Sequence, residues 1–238
     1  MINPNSLRAA DLKKKFAVFG HFYDIAIADQ KNSCRSLLEL VDRGIVPDDP
    51  NQLAKSRPDL LIVMMNPGSS RPMDKNYKPK LVSGSQDIPK SREWVPTQPD
   101  NTQYQIMRIM LALGYKHGRV FNLSDIREPK SSVLFKRLSA ISNVSNGGIH
   151  SIFCSERRKE LKNLLGCSNC ETPVLVGWGR STELLPLASQ ALLALDGFSI
   201  YGRPIDSKKV LFFHPSPMLQ RMKEQWVDTV LAQMSVIN

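Results

Sequence analysis

Four short apolar runs recur along the chain, each followed by a helical pattern or by a loop that leads to one: LLIVMM (60–65), GRVFNL (118–123), PVLVGWG (173–179) and KKVLFF (208–213). Their apolar residues run on instead of alternating with polar ones, which predicts strands buried on both faces, as a parallel sheet requires. Between and after them, TQYQIMRIMLAL (102–113), SSVLFKRLSAI (131–141), SERRKELKNLLG (155–166), STELLPLASQALLAL (181–195) and QRMKEQWVDTVLAQM (220–234) carry helical spacing. Gly114 and Gly166 fall where a helix end favours positive φ, and Ser155 where a helix start favours a capping hydroxyl. Strand and helix in alternation predict an α/β fold, a three-layer α/β/α sandwich around a short four-stranded parallel sheet.

The segment before the first run reads differently. Residues 7–43 look helical and are expected to pack on one face as part of an N-terminal helical extension over residues 1–57. KKKFAVFGHFYDIAIADQ (13–30) has the outline of a secretory signal, but His21, Tyr23 and Asp24 interrupt its apolar stretch, so an amphipathic helix is the better reading. Residues 68–100 break the rhythm in another way, with several prolines, little periodicity, and six basic against three acidic residues from Arg71 to Glu93. A basic, proline-rich insertion of that length inside one domain is usually functional or disordered.

Composition narrows the partners. With 238 residues and 42% hydrophobic content, the chain can bury one full core, so a single domain acting as a monomer is expected. A formal charge of +10 attracts polyanions, DNA foremost. No apolar run reaches bilayer length, so no membrane partner is expected. Four cysteines are too few for a disulfide-stapled fold and suggest a reducing, cytoplasmic setting. Cys167 and Cys170 form a lone C-x-x-C that would need two more soft ligands to hold a metal; neither a metal nor another cofactor is expected.

In open parallel α/β sheets ligands gather outside the carboxyl ends of the strands. Those ends supply Met65-Asn66-Pro67-Gly68-Ser69-Ser70, Asn122 to Asp125, Gly177 to Thr182, and His214-Pro215-Ser216-Pro217-Met218-Leu219. Each has a plain structural reading. Asn66-Pro67-Gly68 is a turn signal, Trp178 between two glycines suits close packing, and Ser216-Pro217 suits a helix start. Together they place polar side chains on one rim. Prolines after His214 and Ser216 hold both residues extended, which favours a fixed hydrogen-bond donor.

The His-Pro-Ser-Pro run resembles the second motif of the uracil-DNA glycosylase superfamily, and VMMNPGSS resembles its first motif in the Asn-Pro-Gly form of the mismatch-specific, thymine- and uracil-removing branch. The resemblance spans residues 58–236 through short motifs. It implies a DNA glycosylase that flips a base from the duplex and hydrolyses its N-glycosidic bond, leaving an abasic site, in base excision repair or in defence against foreign DNA. His214 would donate to the base oxygen where charge collects. Asn66, standing where the uracil-specific enzymes carry an aspartate, would orient the attacking water without removing its proton, which implies a slower enzyme. Met65, Pro67, Gly68 and Asn122 would hold the base. Gly68 replaces a tyrosine that blocks C5 substituents, leaving room for thymine or a bulky 5-modified pyrimidine, so the chain would represent a divergent branch. Asn122 suits a uracil-like or a cytosine-like edge. Met218 and Leu219 occupy the position of an apolar wedge, although Leu219 equally suits the core, while Ser69, Ser70, Ser216, Arg221 and Lys223 are candidates for the DNA backbone. Two other classes stay open: a nucleic-acid-binding module without catalysis, and a hydrolase of free nucleotides or nucleosides.

Overall fold

The computed structural model describes residues 3–28, 30–166 and 170–235. It corrects the expected four-stranded parallel sheet: the strands form one mixed, nine-stranded sheet. In chain order the strands are β1 (Phe16–Ile27), β2 (Gln30–Asp42), β3 (Leu60–Met64), β4 (Arg71–Pro72), β5 (Lys80–Val82), β6 (Val95–Gln98), β7 (His117–Asn122), β8 (Val174–Gly177) and β9 (Ile200–Tyr201). The helices are α1 (Ala9–Lys15), α2 (Asp87–Lys90), α3 (Asn101–Ala112), α4 (Ser131–Ile141), α5 (Arg158–Leu165), α6 (Leu185–Ala194) and α7 (Gln220–Met234). Across the sheet the order is β4-β6-β1-β2-β7-β3-β8-β9, with β5 also pairing β1. Strands β7, β3, β8 and β9 run parallel, while β1, β2 and β6 add antiparallel pairs. Among the described residues no helix is long and apolar enough to cross a membrane.

The largest departure lies in residues 7–43. Only Ala9–Lys15 is helical; the rest is the long β1–β2 hairpin, and 1–57 is no helical extension. Most of both strands is buried on both faces, and several of their polar residues are paired inside. His21 Nδ1 lies 2.6 Å from Ser36 Oγ, Tyr23 donates to Asp125 at 2.8 Å, and Ser33 donates to Asp24 at 2.8 Å. His21 and Asp24, three residues apart, imitate the polar face of a helix, which is why the periodicity misleads.

Residues 68–100 are corrected too. They carry β4, β5, α2 and β6, and β5 and β6 both pair with β1, so the proline-rich stretch is a sheet extension and not a loop. KKVLFF is no regular strand. Its Phe212 makes isolated bridges to Gly179 and Pro204, while β9 takes the place beside β8. Gly114 has the expected φ of +73°, but Gly166 is right-handed, at φ −63°. Ser155 does not cap α5, whose cap position is Arg157.

Alternation along the strands builds two cores. Leu60, Ile62, Met64, Val120 and Leu175 face α1, α3 and α7, whereas Leu61, Val63, Phe121, Val174 and Val176 face α5 and α6 together with Trp178. One irregularity matters for function. The β1–β2 register runs from His21↔Leu37 to Phe22↔Arg35, so Ser36 is an extra residue bulging from β2. Without the bulge Arg35 would share the face of Leu37; with it, Arg35 turns to the α3 side.

Candidate functional site

A cavity of about 250 Å³ opens at the carboxyl ends of β3 and β7, on the face covered by α3. Its lining includes Arg35, Asn66, Asp100, Asn122 and His214, with Met64, Ile106 and Val120 as apolar floor. A larger hollow, about 680 Å³, lies between α5 and α6, with Phe153, Leu161, Leu165 and Leu193 in its lining. Convergent polar groups at strand ends, not size, set the smaller one apart from it.

Asn66 begins the turn that ends β3. Gly68 there adopts φ +57°, and no atom lies within 4 Å of where its Cβ would stand. The Asn66 amide nitrogen donates to the backbone oxygens of Ile126 at 3.0 Å and Glu128 at 2.8 Å. This fastens the end of β3 to the chain after β7 and fixes the amide plane, leaving Oδ1 as its free acceptor. An ionised carboxylate at position 66 would face two carbonyl oxygens with nothing to donate.

Asn122 ends β7 on the face of Val120. It is fully buried, and neither Nδ2 nor Oδ1 has a hydrogen-bond partner. Each such group costs about 1–3 kcal/mol relative to a satisfied one. A buried donor and acceptor side by side, lining a cavity, suit the edge of a heterocyclic base.

His214 sits in the loop before α7. A Cβ on Gly177 would stand 2.9 Å from Pro215 Cδ, so only glycine lets this loop close onto the end of β8. Trp226 Nε1 donates to Phe213 O at 3.0 Å and holds the loop from the other side. The Ser216 amide donates to His214 Nδ1 at 3.1 Å. That bond leaves the proton of the neutral ring on Nε2. Burial holds the His214 pKa below the ordinary histidine value, and the nearby Asp100 carboxylate offsets this only in part. A neutral imidazole donating through Nε2 is therefore the form at neutral pH.

Of the residues singled out in the sequence, Met65, Asn66, Pro67, Gly68, Ser69, Asn122 and His214 line the cavity together. Ser70, Ser216, Met218, Leu219 and Arg221 do not. Ser70 is buried with its hydroxyl unpartnered, and Ser216 contributes its backbone amide. Ser216-Pro217 does not open α7, whose cap position is Leu219. Met218 is 99% exposed and Leu219 56%, which excludes a core role for either. Arg221 is exposed and Lys223 half-buried.

The two charged lining residues, Asp100 and Arg35, escaped the sequence reading. Asp100 caps α3, its Oδ1 accepting from the amides of Thr102 at 2.9 Å and Gln103 at 3.1 Å, and Gln103 returns a bond to the Asp100 amide. Its Oδ2 has no protein partner, so a carboxylate oxygen remains for the cavity. The Asp-x-x-Gln spacing of a capping box was legible. Arg35 was not, because its orientation depends on the bulge. Cys167 lies outside the described residues and Cys170 is exposed. Among the described residues no group of three or more histidine, cysteine, aspartate or glutamate side chains is placed to hold a metal ion.

No protein-family model, no curated protein and no solved structure matches this chain.

Proposed function

We propose that the protein is a DNA glycosylase that takes an extruded base into the cavity at the ends of β3 and β7 and hydrolyses its N-glycosidic bond. The observation that carries the reading is Asn122: a fully buried amide with both polar atoms unpartnered, lining the same cavity as a fixed Asn66 carbonyl and a neutral His214. Leaving two buried polar groups unpaired is a folding cost that base recognition repays. Asn122 reads the base edge, and His214 donates to an oxygen that gathers charge as the bond breaks. Asn66 Oδ1 orients the attacking water, and Asp100 Oδ2 takes its proton.

The open space beside Gly68 accommodates a substituent at C5 of a pyrimidine. DNA would approach under the net charge of +10, and the exposed tip of Met218 and Leu219 is the apolar element available to fill the gap a flipped base leaves.

The test is a panel of duplexes carrying uracil, a G·T mismatch, 5-hydroxymethylcytosine or its glucosylated form, incubated with the protein and then cleaved with alkali. Strand scission at one of these bases, lost in His214→Ala while duplex binding persists, is the expected result. Scission at none of them refutes the proposal for these substrates. Hydrolysis of free nucleosides with no salt-dependent duplex binding would instead favour a nucleoside hydrolase.

A further inference from the structure

Three arginines of the described chain are fully buried, and two of them are paired. Arg119 Nε lies 2.7 Å from Glu39 Oε1, and Arg157 is held by both Asp125 and Glu160. Arg35 is 1% exposed, yet its Nε and Nη1 have no partner. Burial lowers its pKa to about 10, and the like charge of Arg127 acts in the same direction. It stays a cation at neutral pH.

An unpaired buried cation costs several kcal/mol. The fold does not retain Arg35 here by accident of packing, since the Ser36 bulge turns it away from the Leu37 face and into the cavity. Asp100 is the one carboxylate among the described lining residues, and its field reaches Arg35, but its Oδ1 is committed to the amides at the start of α3. With His214 neutral, the cavity that Asn122 lines also holds a desolvated positive charge.

We infer that Arg35 is a catalytic residue of this site, its guanidinium donating to a carbonyl oxygen of the extruded base and holding the negative charge that gathers there as the bond breaks. The inference rests on the glycosylase reading. In that step the C1′–N1 electron pair leaves with the base and spreads from N1 onto its carbonyl oxygens. The water oxygen bonds to C1′ and gives its proton to Asp100, and the base anion takes a proton from solvent on release. A neutral base gains little from a guanidinium, whereas its anion gains much, so the contact acts on the barrier more than on binding. His214 supplies a dipole; Arg35 supplies a full charge in a site shielded from water, where charge-assisted hydrogen bonds are strongest.

Two measurements test this. Calorimetry at pH 7.5 compares uracil with 5-nitrouracil, a far stronger acid that is anionic there. The wild type is expected to bind the anion at least tenfold tighter, Arg35→Met to lose that preference, and Arg35→Lys to keep part of it. Single-turnover cleavage of duplexes carrying thymine, uracil, 5-bromouracil or 5-fluorouracil then reads how rate depends on leaving-base acidity. Arg35→Met is expected to slow the poorer leaving groups most and so steepen that dependence. A structural defect would slow all four alike. Equal slopes in the two proteins, or a wild type without preference for the anion, overturns the role. The wild-type binding comparison stands even where a variant folds poorly. If no duplex is cleaved but anion binding needs Arg35, the glycosylase reading fails and the anion contact stands. If cleavage occurs with equal slopes, the reverse holds.

Discussion

Asn66 and Asn122, which both line the cavity, should respond to substitution with opposite signs. Asn122 is fully buried with two unpartnered polar atoms, among Met64, Ile106 and Val120. Asn122→Leu keeps the number and branching of side-chain heavy atoms, removes both unpaired groups and adds apolar surface to an apolar floor, with the cavity taking up the added volume. Relief of two groups at about 1–3 kcal/mol each, reduced because the cavity has an opening, predicts a gain of about 2 kcal/mol. For a domain of this size that corresponds to a rise of about 4–8 °C in Tm. Asn66→Ala instead deletes two hydrogen bonds to the carbonyls of Ile126 and Glu128, and each is worth about 0.5–1.5 kcal/mol, so stability should fall by about 1–3 kcal/mol. Both variants should lose strand cleavage. Urea denaturation beside the alkaline cleavage assay separates the effects: an inactive, stabilised Asn122→Leu is the signature of a residue kept for its ligand. A destabilised Asn122→Leu would mean that the amide is satisfied within the folded protein, and the central observation behind the proposed function would fall.

Acid should weaken the fold in a defined window. Burial lowers the pKa of His21 to about 3 and of His150 to about 4, and lowers that of His214, so the unfolded chain binds protons that the folded chain refuses. Stability is then complete above the unfolded histidine value near 6.5 and is lost as pH falls below it. At pH 5 the cost is about 2 kcal/mol each for His21 and His150, of which Asp125, raised to about 6 by burial, returns about 1 kcal/mol by taking up a proton in the folded state. Urea midpoints at pH 8 and pH 5 measure this, and a midpoint unmoved by acid refutes the assignment of neutral buried histidines. At the cavity, Asp100→Asn keeps an equivalent helix cap while removing the free carboxylate. It should leave Tm nearly unchanged and slow single-turnover cleavage about 10²-fold; an unchanged rate would leave water activation to Asn66 alone.

The parts of the fold legible in the sequence are those where one physical signal dominates. Leu60–Met64 and Val174–Gly177 are continuous apolar runs because both faces are covered, β7 has Val120-Phe121 at its centre, and α3, α4 and α7 keep a clean helical period. Asn66, Asn122 and His214 were legible because they stand at the ends of such runs or beside them. The β1–β2 hairpin was not. In its interior Tyr23 is satisfied by Asp125 and Glu39 by Arg119, partners distant in sequence, and no local pattern encodes those pairings. The strands within residues 68–100 are short and mostly exposed, and they exist because β1 offers an edge to pair with.

The same hairpin decides what the cavity can do. Asn66, Asn122 and His214 belong to the parallel part of the sheet and its flanking loop, and taken alone they make a polar cavity without charge. Arg35 belongs to the antiparallel addition, and it enters only because one extra residue in β2 reverses which face the strand presents. The α3 cap that brings Asp100 follows directly on β6, another element of that addition. Both charged groups of the cavity are thus delivered by the part of the sheet that periodicity could not reveal. The polar groups that the proposed function assigns to base recognition stand at strand ends, whereas the charge it assigns to the base's departure depends on long-range pairing. Moving Arg35 to the other face by deleting Ser36 should therefore abolish the preference for an anionic base while leaving Asn66, Asn122 and His214 in place.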